Sequence, residues 1–111
     1  MGNIDKAKLM ANRVAGRTDT FEIEGIGEIR FRALSREELI TAGEISDKQG
    51  VLAYERYALS RAMVDPPMTE AEVAEWQANS PGMEINDVAS KINALCGVRT
   101  GADKRVVPEV P

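Results

Sequence analysis

Few residues in this chain are able to do covalent chemistry. Its 111 residues include no His and a single Cys, Cys96. The absence of His excludes Ser-His and Cys-His nucleophilic pairs and every His-ligated metal. A lone thiol excludes an internal disulfide and a multi-Cys metal site. With no base or cationic partner beside it, Cys96 reads as a small buried apolar residue rather than a nucleophile. Paired carboxylates remain as a candidate hydrolytic dyad, but nothing in the sequence marks one of them as buried or shifted. Gly25-x-Gly27 begins like a dinucleotide loop, yet Arg30 stands where the third glycine belongs and a strand follows, so it reads as a hairpin turn. The stretch from Gly97 to Lys104 lacks the spacing of a phosphate loop. The chain is therefore read as a non-enzyme that uses no cofactor and no metal.

If reacting groups are missing, surface character must carry the function. Hydrophobic residues make up 43% of the chain and charged residues 29%, and 14 Lys+Arg against 18 Asp+Glu leave a formal net charge of -4. That balance argues against nucleic-acid binding, which needs a basic surface. The charge is also unevenly spread. Residues 1–36 hold seven Lys or Arg, whereas no basic residue lies between Arg61 and Lys91, a stretch containing Asp65, Glu70, Glu72, Glu75, Glu84 and Asp87. Several of these acids favour helix N-termini; the functional reading is charge-complementary packing between subunits or onto a basic partner. No secretory signal and no apolar run of membrane-spanning length is visible, and a reducing cytoplasmic setting fits the lone thiol.

The elements that present this surface are marked by start and stop signals. Asn3 is expected to cap a helix from Ile4 to about Ala15. Phe21 and Ile23, then Ile29 and Phe31, alternate with charged residues over 20–34, which predicts a hairpin. A three-residue loop at 25–27 would set Ile23 opposite Ile29, Phe21 opposite Phe31 and Glu22 opposite Arg30. Ser35 with Glu38 makes a capping box, with Leu34 and Leu39 at staple positions, so a helix should run from Arg36 to about Ser46, followed by a turn over Asp47–Gly50. A further helix is expected from Val51 to about Val64, stopped by Asp65-Pro66-Pro67. Thr69 and Glu72 repeat the capping box and begin a helix from Glu70 to about Ala78. Ser80 and Pro81 are placed to open a last helix, along which Ile85, Val88, Ile92 and Leu95 form one apolar stripe, with Gly97 as its stop.

The fold class expected is α+β: an N-terminal helix, one β-hairpin and a bundle of about four short helices, forming a single domain over residues 1–97. The tail 98–111, with Pro108 and Pro111, is expected to be mobile. The large aromatics outside the hairpin are Tyr54, Tyr57 and Trp76. Aromatic side chains dominate protein–protein contacts as well as cores, and the two tyrosines share one helix face. These three are the candidate partner-binding residues, with core packing as the plainer reading of Trp76.

The order of segments resembles a known family. A charged leading helix precedes the hairpin Thr20–Arg32, which ends in Ala33-Leu34-Ser35-Arg36-Glu37-Glu38. Then come Tyr57-Ala58-Leu59-Ser60, the step Val64-Asp65-Pro66-Pro67-Met68-Thr69-Glu70-Ala71-Glu72, a Trp…Ser-Pro step and a closing helix from Ile85 to Gly97. Over residues 20–97 this is similar to the tail assembly chaperones of long-tailed bacteriophages and prophages. The resemblance implies a binding function without catalytic residues: holding the long helical tape measure protein in the bacterial host cytoplasm before the tail tube polymerises. The implied partners are the tape measure protein or other tail proteins, with self-association along it. An alternative is a minor structural protein retained in a virion or tail-like particle. A DNA-binding adapter built on the helix after Ser35 is opposed by the acidic 62–90 stretch.

Overall fold

A computed structural model describes residues 4–97. The hairpin forms from β1 (Thr18–Ile23) and β2 (Gly27–Arg32), but its register differs from the expected one by two residues. Ile23 faces Gly27, Phe21 faces Ile29, and Asp19 faces Phe31. The turn forms around Glu24, Gly25 and Ile26, closed by the Ile26 N–H donating to the Ile23 carbonyl at 3.0 Å. Gly25 supplies the positive φ of 80° that the third position of a type II turn requires. Because side chains alternate with a period of two, this slip leaves Phe21, Ile23, Ile29 and Phe31 on the same face. What it changes is the other face: Glu22 lies opposite Glu28 instead of Arg30, so the expected cross-strand ion pair is replaced by a like-charge pair.

The leading helix is far shorter than expected. Here α1 spans Lys6–Met10, capped by the Asp5 carboxylate, which accepts from the Ala7 and Lys8 amides. It stops because the Asn12 side chain accepts from the Val14 and Ala15 amides, offering the backbone a turn in place of helix. The proposed cap at Asn3 lies outside the described residues, as does the tail 98–111.

The capping box after β2 forms as its spacing predicts. Ser35 Oγ accepts from the Glu38 amide at 3.1 Å, and Glu38 Oε1 accepts from the Ser35 amide at 2.9 Å. Helix α2 then covers Arg36–Gln49, three residues beyond the expected end, since Asp47–Gln49 continue the helical bonding until Gly50. Gly50, at φ 94°, donates to the Ser46 carbonyl and accepts from the Tyr54 amide, so one glycine ends α2 and opens α3 (Val51–Ala62). Helix α3 does not reach Val64. Its last turn gives way to a short strand, β3 (Met63–Asp65), which pairs antiparallel with β2 through Met63 opposite Phe31 and Asp65 opposite Arg30. The unpaired donors and acceptors on that side of β2 override the helical pattern. The sheet is thus three-stranded, in the order β1-β2-β3.

Helix α4 (Glu70–Asn79) has the predicted Thr69–Glu72 capping box. Helix α5 (Glu84–Leu95) starts later than expected. Ser80 closes α4 instead of opening α5, donating its amide to the Trp76 carbonyl at 3.0 Å, and residues 81–83 form a turn. Gly97, at φ 90°, stops α5 as the sequence suggests. The result is an α+β fold with, among the described residues, four helices after the hairpin.

The largest completely enclosed side chains of the core come one from each layer: Phe31 from the sheet, Leu59 from α3, Val73 from α4 and Val88 from α5. Ile85 and Ile92 extend the α5 stripe across β1 and β2, and Ala58 and Ala62 let α3 approach closely. Among the described residues no polar or charged side chain is buried. Cys96 corrects its sequence reading in part: it is half-buried, and its Sγ accepts from the Leu34 amide, tying the end of α5 to the segment between β2 and α2.

The same segment is held by Arg32. Its guanidinium makes a forked contact with Glu38, both bonds at 3.0 Å, and also donates to the Ala33 carbonyl at 2.8 Å. The Arg32 hydrogen bonds hold the Glu38 carboxyl below its usual range, aided by the Ser35 amide and opposed by partial burial. A depressed folded-state pKa adds stability above the ordinary carboxylate range and loses it as pH falls through the folded value. Glu38→Gln is therefore expected to lower the unfolding free energy by ~1–2 kcal/mol at neutral pH. In urea denaturation, the difference from the parent protein should shrink steadily as the pH is taken below the carboxylate range.

Candidate functional site

Two concave surfaces lie at opposite ends of the hairpin. The first, of about 540 Å³, opens between the hairpin turn and α4. Ile23, Ile26 and Ile29 line it from the hairpin, Met63, Pro66, Pro67 and Met68 from the segment that leads into α4, and Glu72, Glu75, Trp76 and Asn79 from α4 itself. Those four α4 positions recur at helical spacing, so they form a single face. Its neighbouring face carries Val73 into the core. Ile26, held out by the glycine turn, is 80% exposed. The groove is thus apolar along its length and bordered by carboxylates, with no basic residue in its lining.

Trp76 is fixed at this site. Its indole N–H donates to Glu84 Oε2 at 2.7 Å, joining α4 to the start of α5, while its ring packs against the core. The sequence offered core and contact as alternatives for Trp76; the half-buried indole packs against the core and also lines the groove. Tyr54 and Tyr57 are placed elsewhere. Both are half-buried on α3, Tyr54 packs against the core, and neither lines either of these two concave surfaces. The Arg61 guanidinium lies 4.6 Å from the centre of the Tyr57 ring, a cation–π contact within one helix. The three aromatic candidates therefore do not make one surface, and only Trp76 belongs to the groove.

Residues that the sequence did not single out line the site or hold α4 in place beside it. Gln77 cements the α3–α4 pair, donating to the Leu52 carbonyl and Glu55 and accepting from Arg56 Nε. Its pattern is legible only once α3 and α4 are known to be adjacent. Ile26 was read as part of a turn, and Pro66-Pro67 as a helix stop; neither position is chemically unusual until the turn and α4 face each other.

The second concavity, of about 620 Å³, sits where β1 begins and β2 ends. Arg13, Arg17, Arg32 and Arg36 line it together with Glu38 and Cys96. It is basic where the groove is acidic. Among the described residues no group of His, Cys, Asp or Glu is placed to hold a metal ion, and no helix is long and apolar enough to cross a membrane.

The pinned indole yields a direct test. Trp76→Phe keeps an aromatic ring but removes the donor, leaving the Glu84 carboxylate without its partner; stability followed by circular dichroism should fall by about 1 kcal/mol. An unchanged midpoint would show that the bond contributes nothing to joining α4 and α5. No protein-family model, no curated protein and no solved structure matches this chain.

Proposed function

We propose that this protein is a non-enzymatic assembly chaperone of a long-tailed phage or prophage, holding the tape measure protein in the host cytoplasm during tail morphogenesis. The observation that carries the reading is the apolar groove with its acidic border. A groove of this kind suits a helix that presents an apolar stripe flanked by Lys or Arg: the stripe fills the lining and the basic flanks meet Glu72 and Glu75. A long helical protein awaiting assembly exposes such stripes repeatedly, and covering them keeps it from aggregating. The segment order over residues 20–97 supports the same family. A protein that acts by covering another needs no nucleophile, base or cofactor of its own.

Co-expression tests the reading. The tape measure protein should be more soluble with this chain than without it. Ile26→Asp together with Glu75→Lys should abolish that gain while leaving the fold intact, since Ile26 and Glu75 are exposed. Equal solubility with and without the chaperone would overturn the proposal. Mass spectrometry of purified particles separates the alternative, a retained minor structural protein, because a departing chaperone is missing from the finished particle.

A further inference from the structure

The segment before the sheet is an unpartnered surface of the opposite character. None of the α1 side chains is buried. Ile4, Leu9 and Met10 are 77%, 48% and 69% exposed, and they lie among Lys6, Lys8 and Arg13, with Asp5 the one acid. An apolar stretch this open has a cost in water unless something covers it. Nothing within the described chain does.

The geometry points to a second copy of this chain as the occupant of the groove: the arm Ile4–Arg13 of one molecule docks between the hairpin turn and α4 of the next. Three observations carry this. The arm is apolar and basic, and the groove is apolar and bordered by Glu72 and Glu75, so both the buried surface and the charges are complementary. Arm and groove are both exposed in the single chain. Finally, they leave the sheet at opposite ends. Ala11 to Val14 lie beside Leu34 and Cys96 at the end of β2, whereas the groove lies at the hairpin turn, one strand length away, about 20 Å for six residues. An arm anchored at one end therefore reaches the groove of a neighbour without leaving its place. A contact between two different surfaces is heterologous, so it repeats head to tail and builds an open row of subunits rather than a closed pair.

The arm and a tape measure helix would compete for this one groove; docking of the arm shares with the preceding proposal only the claim that the groove receives a polypeptide, and its test uses this protein alone. Light scattering coupled to size exclusion should show a mass that rises continuously with concentration, with no plateau at a dimer. Leu9→Asp with Met10→Asp disables the arm; Ile26→Asp with Glu75→Lys disables the groove. Each variant should run as a monomer with the parental circular dichroism spectrum, because none of the four side chains is buried. The decisive sample is their mixture. One intact arm and one intact groove remain, so it should give a 1:1 heterodimer that grows no further, with at least a tenfold gain in association over either variant alone. A parent protein that stays monomeric, variants that associate as the parent does, or a mixture that stays monomeric would each overturn the assignment. A monomeric parent that nevertheless solubilises the tape measure protein would overturn it while leaving the chaperone reading standing.

Discussion

The need to dry one face of a small sheet organises this molecule. A hairpin by itself is marginal in water. Phe21, Ile23, Ile29 and Phe31 give it a continuous apolar face, and α3, α4 and α5 supply the side chains that cover it. Helix α5 lies across β1 and β2, α3 meets it from the other side, and α4 seals the cluster through Val73. Since no polar side chain among the described residues is buried, the core owes its stability to burial and packing, with no internal ion pair to desolvate. The polar interactions that do matter sit at the joints between elements.

Those joints have a common logic. Glu38 ties β2 to α2, Trp76 with Glu84 ties α4 to α5, Gln77 ties α3 to α4, and Cys96 ties the end of α5 to Leu34. In each, one partly exposed polar group satisfies a neighbour across an element boundary. The exposed pair Lys91–Asp19, at 3.9 Å, belongs to a different category: screened and solvated, it adds little. The outer surface is therefore free to be uneven in charge, basic at the start of β1 and acidic around α4, without any cost to the interior.

Local signals in the sequence predicted local structure well. Both capping boxes form at the residues that spell them, and the Ile85-Val88-Ile92 stripe faces the core. The features that were not legible depend on distant neighbours or on competing turn chemistry. β3 exists because β2 has an open edge, which no pattern within Met63–Asp65 announces. The hairpin register could not be read from alternation, because a two-residue slip leaves the apolar face unchanged and only the glycine turn decides between the registers. Asn12 ended α1 early by the same kind of local competition. At the groove, Trp76 was legible as a large aromatic, but Ile26 and Pro66-Pro67 gain meaning only from the approach of the turn to α4. Tyr54 and Tyr57 met the same compositional criterion as Trp76 and lie on another face.

The proline pair in the lining has a consequence for what the groove is able to discriminate. Pro66 and Pro67 carry no amide hydrogen, so at those two positions the wall offers an incoming chain no main-chain donor. A guest cannot be registered there by a ladder of backbone bonds, as an added strand would be. It must be held by how its side chains fill the space and by the sign of its flanks. Such a surface accepts many different sequences that share one contour.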